Sequence, residues 1–144
     1  MHDRAVTAVR IRLENWIHGD IDFRSSKVLI SGGEIPKVMF DAEMIMKDFN
    51  NRKVGIEVEI SLKSNKRSVD KLLKIDKERK DIYRVVWFCK PYVMEAIKRL
   101  ILKQKSNIDD ARHCFVDYDK FVQNPDVWIT DVNNNKYQWG WVYA

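Results

Sequence analysis

Apolar and polar residues alternate strictly from Val54 to Lys63. Ile56, Val58, Ile60 and Leu62 fall on one face, and Glu57, Glu59, Ser61 and Lys63 on the other. This period of two, rich in β-branched residues, predicts a strand interior to a sheet. Elsewhere the period is helical. Val6, Val9, Leu13 and Trp16 recur at spacings of three and four with charged residues between them, which predicts a helix over residues 3–17 with Asp3 as its N-cap. Val69, Leu72 and Leu73 mark a second helix over residues 65–79, capped by Ser64. Val93, Ile97, Leu100 and Ile101 mark a third, opened by Pro91, where a first-turn proline costs little.

Between these lie further strand candidates. Residues 21–23 and 27–31 are short ones, followed by a turn at Gly32-Gly33; residues 38–46 form a longer one with Asp41 at its near end. Asn50-Asn51 sits in a hairpin loop leading into the alternating strand, and residues 83–89 and 112–118 read as buried strands. A strand, a full helix and another strand imply parallel pairing with a right-handed crossover. The last forty residues read as a hairpin of Val127–Val132 with Tyr137–Tyr143, turning at Asn133 to Asn135. The whole is an α/β chain forming one domain, with a core over residues 1–104 and a C-terminal β extension over 105–144. On this reading Tyr137, Trp139, Trp141 and Tyr143 share a strand face, which packs as sheet core or a dimer contact, or stacks on bases.

Composition narrows the class. With 144 residues, 45% apolar and 33% charged, the chain is long enough for a real core and too apolar for disorder. No apolar run reaches membrane-spanning length, and the basic start lacks the apolar stretch of a signal peptide. Cys89 and Cys114 lie in apolar surroundings, so reduced core cysteines in a cytoplasmic protein are expected. The charge is concentrated. Residues 63–80 hold eight Lys or Arg against three acids, which accounts for the whole net charge of +5. Directly behind a di-acidic strand, such a strip is either a phosphate-binding footprint or a solvated helix face.

Two carboxylates alternating on a strand, with a third acid across a hairpin, are the oxygen donors that a hard cation such as Mg²⁺ takes. At a phosphodiester, a cation held this way activates water and stabilises the leaving oxygen. Lys63, on the acidic face, would offset charge on the phosphate. The same spacing also fits a partly solvated sheet face on which Glu57 and Glu59 pair with Lys63 and Arg67. His2 is either a contact to this site from the first helix or a free terminal side chain. His18 and His113 lack metal-ligand spacing with a cysteine, and neither a Gly-rich phosphate loop nor a Ser-His-Asp or Cys-His arrangement is present.

The order of helix, strand, Asp-bearing strand, Glu-x-Glu strand, basic helix and strand resembles the PD-(D/E)xK nuclease core, an α-β-β-β-α-β mixed sheet flanked by helices. More narrowly, four stretches are similar to the replication-relaxation proteins of plasmids and mobile elements. They are His2-Asp3 before Val9-Arg10, Phe40-Asp41-Ala42-Glu43, the run Glu57-Val58-Glu59-Ile60-Ser61-Leu62-Lys63-Ser64, and Val86-Trp87-Phe88-Cys89 before a helix. The likeness covers residues 1–104.

The resemblance implies a metal-dependent DNA endonuclease using Mg²⁺ or Mn²⁺, with Asp41, Glu57 and Glu59 as metal ligands and catalytic acids. Lys63 would assist at the phosphate, and Lys63, Lys66, Arg67, Lys71 and Lys74 would follow the DNA backbone. DNA is the implied partner, with a second copy of the chain and other replication or relaxation proteins left open, and no membrane. Two positions depart from the family pattern: Phe40 stands where proline is usual and Glu59 where lysine is usual. Lys63 taking the lysine's role is one reading; a weakened or inactive nuclease-fold DNA-binding accessory protein is the other.

Overall fold

A central strand buried on both faces organises the molecule. The computed structural model describes residues 2–17, 21–26 and 38–144. Its elements are α1 (His2–Trp16), β1 (Ile21–Ser25), β2 (Ala42–Met46), β3 (Arg52–Glu59), α2 (Asn65–Glu78), β4 (Ile82–Cys89) and α3 (Pro91–Lys103), followed by β5 (His113–Asp117), α4 (Tyr118–Gln123), β6 (Ile129–Thr130), β7 (Lys136–Tyr137) and α5 (Gly140–Tyr143). The strands form one mixed sheet in the order β1-β2-β3-β4-β5-β6-β7. β1, β2 and β3 pair antiparallel, β3, β4 and β5 parallel, and β5, β6 and β7 antiparallel again. The chain is therefore an α/β fold with helices on both faces of an open mixed sheet. The predicted strand at 27–31 and the turn at Gly32-Gly33 lie outside the described residues.

Each face of the sheet has its own core. Val54, Ile56 and Val58 of β3, with Val86 and Phe88 of β4, meet Ala5, Val9 and Leu13 of α1, Phe121 of α4 and Val142 of α5. On the opposite face Val85, Trp87 and Cys89 meet Leu72 and Ile75 of α2 and Val93, Ile97 and Ile101 of α3. β4 therefore carries an unbroken apolar run, as a parallel strand covered on both sides requires. Leu72 and Ile75 are fully buried, and burying each contributes roughly 1.5–3 kcal/mol. The two cysteines are unpaired and buried, and burial pushes the Cys114 thiol up to about 12.

Several boundaries differ from the sequence expectation. α1 packs through Ala5, Val9, Leu13 and Ile17, a strict spacing of four, which leaves Trp16 on the surface. β2 begins at Ala42 rather than 38, so Asp41 precedes the strand. The β2–β3 hairpin does turn at Asn50 and Asn51, both with positive φ, a conformation asparagine tolerates.

The largest revision concerns the C-terminus. The hairpin there is only two residues per strand, its turn held by the Asp131 carboxylate, which accepts from the Asn133 and Asn135 amides and the Tyr137 hydroxyl. Residues 140–143 are helical, so the four aromatics do not share a strand face. Trp139 enters the core against Phe88 and Phe121, while Trp141 stacks on Tyr137 at 3.9 Å and under the Arg84 guanidinium at 3.8 Å.

Candidate functional site

The alternation of β3 puts Gly55, Glu57 and Glu59 on the face covered by α2 and α3. Glu57 is 1% exposed and Glu59 7%. Neither belongs to a solvated sheet face, so both need internal partners. Antiparallel register pairs Ala42 with Ile56, which brings Asp41 beside Glu57. The Asp41 amide donates to Glu57 Oε1 at 3.1 Å, and the Val58 amide donates to Asp41 Oδ2 at 2.8 Å. These two crossed bonds lock the acids together.

The segment before β2 is fixed from below. Phe40 lies directly on Gly55, where an added Cβ would stand 2.9 Å from the ring. Buried Arg79, one residue past α2, donates to the Val38 carbonyl at 2.6 Å and to buried Glu43 at 2.9 Å, and its guanidinium also pairs with Asp81. In the strip of bases at 63–80, Arg79 is thus an internal tie and not part of a phosphate footprint.

Two cations meet the carboxylates. Lys71 of α2 reaches down to Glu57 Oε2 at 2.6 Å, and Lys63 returns to Glu59 Oε1 at 3.1 Å. Burial is the largest influence on Glu57 and raises its pKa; Lys71 opposes this, Asp41 and Glu59 reinforce it, and the result is a value of about 7. Burial alone would lower Lys71, but the Glu57 carboxylate outweighs it and holds the ammonium above its ordinary range. A carboxyl balanced near neutrality, buried behind a lysine that lines a cleft, has the character of an acid–base site.

A third contact comes from α1. His2 Nε2 lies 3.2 Å from Asp41 Oδ2 and 3.1 Å from the Val58 carbonyl oxygen. His2 is therefore part of the cluster.

Beside these groups a cavity of about 370 Å³ opens at the carboxyl ends of β3 and β4, where ligands bind in open α/β sheets. Glu59, Lys63, Arg67, Lys71 and Lys74 line it, with Asp70 as a further acid and Trp87, Val93 and Ile97 as its apolar side. Lys66 is exposed on α2 and does not line the cavity. The Ser64 hydroxyl accepts from the Arg67 amide at 3.3 Å, the expected cap, which aims the first turn of α2 at the opening.

Of the proposed metal ligands, the structure joins Asp41 and Glu57 directly. Glu59 stands outside their hydrogen bonds, its carboxylate turned to Lys63, although its charge is felt at Glu57. Among the described residues no group of three or more His, Cys, Asp or Glu side chains is gathered to hold a metal ion. The donors nevertheless suit a hard cation in kind: Asp41 and Glu59 both raise the proton affinity of Glu57, and Mg²⁺ keeps several waters rather than filling its shell with protein oxygens.

The sequence did not assign two members of the site the contacts they make here. Lys71 looked like one of several surface bases, yet Arg67, Lys71 and Lys74 are spaced to share one helix face beside the buried Leu72 and Ile75. That spacing was the available signal. Nothing local distinguishes His2, because its partners are 39 and 56 positions away. No protein-family model, curated protein or solved structure matches this chain.

Proposed function

We propose that the chain is a metal-dependent DNA endonuclease of the PD-(D/E)xK type, acting in the replication or relaxation of a plasmid or other mobile element. The observation that carries the reading is the locked Asp41–Glu57 pair with Lys71 against it, at the edge of a basic cleft. The order α1-β1-β2-β3-α2-β4, with an antiparallel β1-β2-β3 followed by a parallel β4, supports it as well.

In this reading Asp41 and Glu57, with Glu59 beside them, hold a Mg²⁺ or Mn²⁺ ion, which supplies Lewis-acid activation of water and stabilisation of the leaving oxygen. Lys71 takes the place of the family's strand lysine, the position where Glu59 stands. With a cation held by Asp41 and Glu57, Lys71 would serve to offset charge developing on the attacked phosphate. His2 fixes Asp41 from the far side. Lys63, Arg67 and Lys74 hold the flanking backbone, with Lys66 as an outer contact.

Supercoiled plasmid incubated with the protein and Mg²⁺ or Mn²⁺ should be nicked or linearised, and Asp41→Asn, Glu57→Gln and Lys71→Met should each abolish this. A wild-type protein inert with both ions on supercoiled, linear and single-stranded DNA would reject the proposal.

One observation favours a second reading, a non-catalytic DNA-binding accessory protein on the same fold. Lys71 pairs directly with Glu57 at 2.6 Å. DNA binding would then survive Asp41→Asn and weaken as salt rises or when Lys66 and Arg67 are neutralised.

A further inference from the structure

A second cavity, of about 510 Å³, lies on the other side of α3 from the acidic site. Its distinguishing feature is Lys98. This lysine is 4% exposed, and its ammonium donates to Thr130 Oγ1 at 3.0 Å and Asn134 Oδ1 at 2.8 Å. Both acceptors are neutral. Among the described residues no carboxylate comes within ion-pair distance of it, and the Phe115 ring lies 5.3 Å from its nitrogen. A buried ammonium without a counter-charge is costly, and such groups are ordinarily paired. Burial accordingly lowers the pKa of Lys98, with Glu95, Asp131 and Cys89 raising it only from a distance.

The rest of the cavity indicates what would supply the missing charge. Met94, Phe115 and Trp128 give it apolar and aromatic walls, and Trp128 is 54% exposed, an unusual position for the largest side chain in a pocket. Lys120 and Lys136 stand at the lining together with Glu95, Asp117 and Asp126. One of these acids is committed, since Asp117 caps α4 by accepting from the Lys120 amide. The lining thus carries three acids and three lysines, Lys98 included, and Lys98 is the one lysine of the three that is buried, its close contacts all neutral. Two Lys98 protons are used, and the third is available to an acceptor in the cavity.

We infer that this cavity binds a nucleoside monophosphate, its phosphate received by Lys98 and its base stacked against Trp128. An ammonium with spare donor capacity suits a phosphate oxygen, an exposed indole offers a flat surface that any base can use, and the volume falls within the range of small-ligand pockets. The occupant is either a free nucleotide or the 5′-phosphorylated end of a strand, which share this chemistry. The inference is independent of whether the acidic site cleaves DNA, because none of these residues belongs to it.

Calorimetric titration of the full chain with deoxyadenosine 5′-monophosphate tests it, alongside deoxyadenosine, inorganic phosphate, and an oligonucleotide with and without a 5′-phosphate. Saturable binding of the monophosphate, tighter than that of either fragment, is expected. Trp128→Ala should weaken it about tenfold or more through lost stacking. Lys98→Gln should weaken it by a similar factor through the lost charge-assisted bond. Glu57→Gln should bind as wild type. If the phosphorylated oligonucleotide binds and the free nucleotide does not, a strand end is the occupant.

Trp128 is half exposed, so its truncation tests the site even if Lys98→Gln fails to fold. Failure of both monophosphate and phosphorylated strand to bind, or unchanged affinity in Trp128→Ala, would overturn the inference.

Discussion

Glu57→Gln should make the protein more stable at alkaline pH while removing the group on which the proposed activity depends. The Glu57 carboxyl rises from its ordinary 4.5 to about 7 in the folded chain, chiefly through burial. Below about 4.5 the folded and unfolded states both hold the proton. Between 4.5 and about 7 only the folded state does, and above 7 neither does. Stability contributed by the bound proton is therefore fully present below 4.5 and lost as pH rises through 7. At about 1.4 kcal/mol per pH unit, the loss is about 3 kcal/mol.

Glutamine keeps the shape and can still accept from the Asp41 amide, but it does not titrate. Urea unfolding of wild type and Glu57→Gln at intervals from pH 4.5 to 8.5 measures the difference. The two should converge at the acid end and separate to about 3 kcal/mol, with the variant more stable, at pH 8. Parallel profiles, or a variant less stable by the same amount at every pH, would refute the reasoning, because either result means that Glu57 is not held against its charge.

Three further predictions follow from the same geometry. Lys71→Met removes the cation 2.6 Å from Glu57 and should destabilise by about 1–3 kcal/mol at pH 8, with little effect at pH 5, where Glu57 is already protonated; a pH-independent loss in urea unfolding would contradict this. Arg79→Met leaves Glu43 buried without its cation and frees the Val38 carbonyl, at an expected cost of about 3–5 kcal/mol. A chemical-denaturation loss of less than about 1 kcal/mol, the scale of a surface pair, would show that Arg79 is not the internal tie described. Gly55→Ala drives a methyl into the Phe40 ring and should cost about 1–3 kcal/mol. Adding Phe40→Leu should recover part of the thermal midpoint, and no recovery would place the strain elsewhere.

The local patterns carried most of the architecture. Strict alternation at Val54–Lys63, the apolar run of β4, the helical stripes of α2 and α3, the cap at Ser64 and the first-turn proline Pro91 are all short-range signals, and the corresponding elements stand where the sequence places them, except that β3 ends at Glu59 and leaves residues 60–63, Lys63 included, outside the strand. The pairing of two acids across a hairpin was legible for the same reason, since a turn at Asn50-Asn51 sets the register within a few residues. Where short-range evidence was ambiguous, it misled. The spacing of aromatics at Tyr137 to Tyr143 fits a strand, but the core has a place for Trp139 beside Phe88 and Phe121, and the chain turns helical to fill it.

Charge was the property that sequence alone could not allocate. Eight bases between residues 63 and 80 look alike in a list. Burial and distance separate them: Arg79 ties down the segment carrying Asp41, Lys71 answers Glu57, and Lys63 answers Glu59, while Lys66 stays in solvent. Lys98 is not marked in the sequence, because a lysine in an amphipathic helix is ordinary until its side chain proves buried on neutral acceptors. Pattern within a segment follows from backbone geometry, which the chain carries locally. The fate of a charge depends on what the fold brings to it from distant positions, and only the tertiary structure decided that.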